Sequence, residues 1–183
     1  MPLARPAALA IAAALAAAVP ASAAQAKAAP RTESAGGIQW TVPARWTAGA
    51  GSAMRVATYS VPGAKAAPAG ECAVFFFGPG QGGSVDENVA RWAKQFEGAP
   101  AAQKKAVTSA AGLRVTRAEV AGTYLAPGGP MMQSTGKRPG YRLLGAIIEA
   151  PGGNVFFKLT GEAATVAAAQ PDFDALVASV RKK

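Results

Sequence analysis

Hydrophobic residues recur along the chain in two rhythms, and the switch between them divides it into strands and helices. In residues 37–42, Ile38, Trp40 and Val42 alternate with Gln39 and Thr41, which predicts a strand that Pro43 stops. The following "PARW" reads as a turn carrying Trp46. "MRVATYSV" (54–61) predicts a second strand closed by Pro62-Gly63, and "ECAVFFF" (71–77) predicts a third. The third is apolar on both faces, as central strands covered on both sides are.

The rhythm then changes. Val85, Val89, Trp92 and Phe96 fall at i, i+4, i+7 and i+11, one apolar stripe of a helix over residues 84–96. Ser84 and Glu87 form S-x-x-E, a capping box that places the helix start at Ser84. Gly98 and Pro100 end the helix. Beyond it, "KKAVTS" (104–109) and "LRVTRAEVAGTY" (113–124) predict strands, the second with a bulge where its apolar parity shifts between Val115 and Val120. Residues 125–140, rich in glycine and proline, read as a long loop, and such loops are often functional. "YRLLGAIIEA" (141–150) and "NVFFKLTG" (154–161) predict a hairpin around Pro151-Gly152-Gly153. "PDFDALVASVRK" (171–182) predicts a last helix with Pro171 in its first turn and Phe173, Leu176, Val177 and Val180 on its stripe. Hairpin-linked strands with two amphipathic helices predict an α+β fold: a mainly antiparallel sheet of about six to seven strands with helices packed on both faces, an α/β/α sandwich.

The first residues change the picture of where the protein works. Arg5, the apolar run 7–19, Pro20 and Ala21-Ser22-Ala23 have the form of a secretory signal peptide. Cleavage is expected near Ala23–Ala26, and the run is shorter than the roughly 18–20 residues of a membrane span. The expected organisation is a signal peptide over 1–24, a flexible linker over 25–35 and a single α+β domain over 36–183. The mature chain then has no transmembrane segment and is periplasmic or secreted.

The net charge of +9 favours anionic partners, such as envelope head groups or cell-wall polymers. Nucleic acid is set aside, because the bases are scattered, lack interleaved aromatics and belong to an exported chain. The absence of histidine removes Ser-His-Asp and Cys-His catalysis as usually built, and imidazole zinc sites. No cofactor or metal is implied. Cys72, alone in an apolar strand, reads as a small buried hydrophobe.

"GPGQGG" (78–83) fits the G-x-G-x-x-G dinucleotide fingerprint, but the capping box places the helix after all of its glycines. Beyond the helix the chain reads as a meander rather than a second βα unit, so dinucleotide binding is rejected. A weaker anion-binding possibility attaches to the amides of Gly80, Gln81 and Gly82 with Arg91 nearby; the alternative is that Ser84 and Glu87 satisfy those amides and Arg91 pairs with Glu87. Trp46 is the tryptophan expected to be most exposed, whereas Trp40 and Trp92 read as core. Met131, Met132, Lys137 and Arg138 are the contact candidates of the long loop.

The Trp-x-x-Pro-x-x-Trp opening "WTVPARW" (40–46), a single amphipathic helix after a strand, a meander and a closing helix ending "FDALVASVR" (173–181) together resemble the PsbP-type fold. That fold is named for the extrinsic protein of the photosynthetic oxygen-evolving complex, and its bacterial relatives include exported proteins of unassigned role. The resemblance covers most of the mature chain as a pattern of elements and implies a non-catalytic role in docking or small-ligand binding. It carries over no functional residue, and there is no histidine to match metal sites proposed for such proteins. The expectation is an exported non-enzymatic domain that binds a protein, an envelope component or a small ligand. The alternatives are a carrier with a pocket between sheet and helix, and a hydrolase using distributed carboxylates.

Overall fold

The computed structural model describes residues 31–49, 51, 54–109, 111–127 and 134–183. Seven strands form one antiparallel sheet in the order β3-β4-β5-β9-β8-β7-β6. They are β3 (Thr47–Ala48), β4 (Ala57–Val61), β5 (Gly70–Phe76), β6 (Gln103–Thr108), β7 (Arg114–Pro127), β8 (Ser134–Ala150) and β9 (Gly153–Glu162). A smaller antiparallel sheet has the order β1-β2-β10, from β1 (Arg31–Ala35), β2 (Ile38–Val42) and β10 (Arg181–Lys182). The helices are α1 (Val85–Ala93) and α2 (Ala163–Ala178). The α+β class and the mainly antiparallel sheet are as the sequence predicts.

Alternation along the central strands sorts the buried side chains into two clusters. Val155, Phe157 and Leu159 of β9 join Leu144, Ala146 and Ile148 of β8 in one, with Val166, Phe173 and Leu176 of α2 and Trp40 of β2. Phe156 of β9 and Leu143 and Ile147 of β8 join the other, with Val89 and Trp92 of α1 and Phe96 just beyond it. Strands that read as apolar on both faces are those whose two faces feed different clusters.

The small sheet begins where the sequence predicts a linker. Residues 31–35 form β1 because Gly36 and Gly37, at φ 59° and 78°, make a two-residue turn that returns the chain as β2 with Ala35 opposite Ile38. Both turn positions need positive φ, which glycine adopts without strain. Tyr59 ties this sheet to the large one: its hydroxyl accepts from Trp40 Nε1 at 3.0 Å and donates to Glu33 Oε2 at 2.8 Å.

Two further elements differ from expectation. Residues 125–127 and 134–140 belong to β7 and β8 rather than to a loop, with Leu125 opposite Lys137 and Ala126 opposite Gly136. Pro127, Gly136, Pro139 and Gly140 sit in an outlying two-stranded stretch whose register shifts between Gly122 and Tyr124 and between Ala126 and Pro127. The last helix starts at Ala163, so Pro171 lies inside it and not in its first turn. An alanine-rich segment of high helix propensity extends the stripe backward through Val166 and Ala169. Pro171 has no N–H to give and its ring crowds the preceding turn. Arg45 meets that turn, donating through Nη2 to Ala168 O at 3.1 Å and through Nε to Asp172.

Candidate interaction surface

The glycine loop resolves into two local devices. Gln81 N–H donates to Gly78 O at 3.2 Å across Pro79-Gly80, and Gly80 at φ 68° gives the Pro-Gly pairing of a type II turn. The capping box comes next: Ser84 Oγ accepts from Glu87 N–H at 3.2 Å, and Glu87 Oε2 accepts from Ser84 N–H at 2.7 Å. Buried Asn88 donates through Nδ2 to Gly82 O at 2.7 Å and Ser84 O at 2.8 Å. Arg91 Nη1 donates to Asn88 Oδ1 at 2.9 Å, so its hydrogen bond goes to this amide rather than to Glu87. The Ser84 amide and hydroxyl, with a smaller contribution from the Arg91 charge, hold the Glu87 carboxyl below its usual range. The amides of Gln81, Ser84 and Glu87 therefore face internal partners. Gly82 has a packing role, since a Cβ there would lie 2.7 Å from the Phe77 ring and 3.0 Å from that of Phe156. Replacing Ser84 by alanine is expected to cost about 1 kcal/mol, read as a lower urea midpoint at unchanged slope.

The second surface is the outlying part of β7 and β8. β6 pairs with β7 only up to Glu119, and β9 pairs with β8 only from Tyr141 onward. Beyond those limits the two strands continue as a ribbon braced along one edge by residues 95–97. Glu97 N–H donates to Thr123 O and Leu125 N–H to Gln95 O, each at 2.8 Å. An aromatic column anchors it: Phe96 lies 5.3 Å from Tyr124, which stacks at 5.7 Å on Tyr141. Burial pushes the Tyr124 phenol up to about 12. The Arg138 guanidinium sits 5.8 Å from the Tyr141 ring, and Lys137 pairs with Glu97. Residues 136–140 are all exposed.

Of the sequence candidates, Lys137 and Arg138 thus come together on the ribbon. Gly80, Gln81, Gly82 and Arg91 gather around α1, whose nine residues set the loop apart from the ribbon by about 14 Å at 1.5 Å rise per residue. Met131 and Met132 lie outside the described residues. Trp46 is not a surface residue: it is 3% exposed in the α2 cluster, 6.1 Å from Tyr59, because the turn that joins Trp46 N–H to Pro43 O folds the indole inward. No sequence signal marks Tyr124 and Tyr141 as ribbon anchors, because their pairing depends on a bulged register.

The carboxylates are dispersed. Glu33, Glu71, Asp86, Glu97, Glu119, Glu149, Asp172 and Asp174 each form an ion pair with a different Lys or Arg, and Glu87 closes the capping box. Among the described residues, no three of His, Cys, Asp and Glu group as a metal site would require. Cys72 is fully buried, which pushes its thiol far up. No described helix is long and apolar enough to cross a membrane.

No protein-family model matches the chain, and no curated protein is significantly similar to it. Among solved structures it is similar to cyanobacterial PsbP from Synechocystis, with a TM-score of 0.51, 12% identity, and coverage of 87% of this chain and 96% of that one. A Pseudomonas aeruginosa protein of unknown function is also similar, with a TM-score of 0.47, 12% identity, and coverage of 82% and 94%. The fold is PsbP-like, as the resemblance implied.

Proposed function

We propose that this PsbP-like domain is an exported, non-catalytic docking module that binds an acidic protein or anionic envelope component through the β7–β8 ribbon. One observation carries the reading. A two-stranded ribbon is marginal in water, yet this one is held out from the sheet by an aromatic column and presents Lys137 and Arg138. The glycine loop at the other end of α1 is a second contact surface. Dispersed ion pairs support a non-catalytic role, since glycoside hydrolysis needs two carboxylates facing one bond. In this reading the layers are α/β/α. Supporting it, α1 shares a cluster with one set of alternating β8 and β9 side chains and α2 with the other. The leader over 1–24 is removed, and the mature chain reaches the domain through residues before β1.

The test is retention of the mature protein on its own envelope fraction. The double variant Lys137→Glu/Arg138→Glu is expected to bind at least tenfold more weakly, and binding by the parent to fall steeply with salt. Retention that ignores both the charge reversal and the salt removes this reading.

A further inference from the structure

The two edges of the large sheet differ. At one edge β3 has two residues, whereas at the other β6 has six, all of them exposed. β6 holds an unbroken register on β7, from Gln103 opposite Glu119 to Thr108 opposite Arg114, with no bulge and no proline. Among the described residues no strand pairs with its other side. Ser109 N–H donates to Leu113 O at 2.8 Å, one step beyond the last of those pairs. Ladder bonds in an antiparallel pair fall on alternate residues, so Gln103, Lys105 and Val107 bond to β7. The N–H and C=O groups of Lys104, Ala106 and Thr108 therefore point away from the sheet. Proteins usually shorten, twist or cover such an edge, because it is a template for pairing.

A hollow flanks this edge on each face. Lys104 points to the α1 side, where it pairs with Asp86, and Lys105 points to the α2 side with Arg117, which pairs with Asp174. On the α1 side an open hollow of about 410 Å³ is walled by Val89 and Ala93 of α1 and by Pro100 and Ala102. On the α2 side the lining of an open hollow of about 470 Å³ includes Gln103, Lys105, Arg117 and Gln170. Its one carboxylate, Glu119, is taken by Arg142. Lys105 forms no ion pair among the described residues.

We propose that β6 is a docking edge that takes an extended segment of a partner protein as a further strand, its side chains alternately apolar toward α1 and acidic toward α2. Main-chain bonds to Lys104, Ala106 and Thr108 supply affinity, and the hollows on the two faces choose the side chains. The apolar wall on the α1 side receives one set. The unpaired Lys105 ammonium receives the other. Charge also decides against a second copy of this chain, since β6 laid against β6 brings the lysines of both strands close together, and like charges across a strand pair repel. The edge is separate from the ribbon, so the proposal stands or falls independently of docking there.

The experiment follows residue-resolved amide exchange of the mature protein by NMR, with an acetylated and amidated octapeptide of alternating Glu and Val. The peptide is expected to slow exchange at Lys104, Ala106 and Thr108 and to leave Gln103, Lys105 and Val107, already bonded to β7, little changed. A peptide of the same composition with its Glu and Val residues in two blocks carries the same charge and is expected to bind at least tenfold more weakly. Lys105→Glu is expected to weaken binding of the alternating peptide at least tenfold. Ala106→Pro removes an N–H that the ladder does not use, a position where edge strands accept proline. It is expected to lose the peptide while unfolding close to the parental temperature. If that variant does not fold, the exchange pattern and Lys105→Glu decide alone. Unchanged exchange at Lys104, Ala106 and Thr108 overturns the proposal, as does equal binding of the blocked peptide. Self-association of the parent that protects the same three amides also overturns it, because the occupant is then a second copy.

Discussion

Gly145→Ala is expected to destabilise the domain by roughly 3 kcal/mol, the upper end of the usual cost of overpacking a well-packed core. Gly145 lies on β8 between Ala118 of β7 and Lys158 of β9, where α1 crosses the sheet. A Cβ at this position would lie 2.0, 2.6 and 2.8 Å from three atoms of the Trp92 ring. The backbone there is ordinary strand, so the cost is one of space rather than of dihedral angle. Trp92 is 5% exposed and cannot yield without lifting α1. With nine residues, α1 is too short to be stable without its packing. The loss would consume a large part of a typical folding free energy of about 5–15 kcal/mol. Urea unfolding measures it. Adding Trp92→Leu to Gly145→Ala should cost less than the two single changes summed, with a coupling of about 1 kcal/mol or more. A Gly145→Ala protein that unfolds at the parental midpoint would refute the packing account.

That contact is not legible in the sequence, although both partners are visible there. Periodicity places Trp92 on the buried stripe of α1, but nothing in "YRLLGAIIEA" says which residue the indole covers. Local chemistry is the readable part. The Ser84–Glu87 box needs only neighbours three apart, and it stands as predicted with both hydrogen bonds formed. β1 escapes because its side chains are mostly polar and solvent-facing, so no period marks it; the Gly36-Gly37 pair is the available signal. The ribbon escapes for the opposite reason, since glycine and proline usually mean a loop, and only bulged pairing makes them strand. Pro171 misleads because proline at a first helical turn is the commoner case, and the acceptance of Arg45 by Ala168 O is a contact 123 residues apart.

The candidate site divides in the same way. Lys137 and Arg138 stand out as a local basic pair, and they are exposed together. Trp46 stands out from its flanking turn residues, but its burial is decided by Tyr59 and the α2 cluster, which no local pattern encodes.

Lys158→Met is expected to stabilise the protein by about 1–3 kcal/mol at neutral pH, within the range seen when buried charges are replaced by apolar groups. Lys158 is 9% exposed on β9, and its Nζ donates to Gln95 Oε1 at 3.0 Å. Burial, with a smaller contribution from the Arg55 charge, pushes its ammonium down to about 8, while Glu71 works weakly the other way. The sign is set by proton binding. Between about 8 and 10.5 the unfolded chain holds a proton at this lysine that the folded chain has released, so raising pH favours the folded state there. Below about 8 the folded protein carries the full penalty of a buried ammonium. The advantage of the methionine variant should therefore be constant up to about pH 8 and then fade as pH approaches 10.5. Cys72, Tyr59 and Tyr124 are raised and oppose folding at high pH, because the unfolded chain ionises them first. They titrate alike in parent and variant, so they drop out of the difference between the two. Paired urea titrations at pH 7 and 10 decide the matter. A methionine variant less stable than the parent at pH 7 would mean that the Gln95 hydrogen bond outweighs the desolvation of the ammonium, and that Lys158 contributes to folding rather than opposing it.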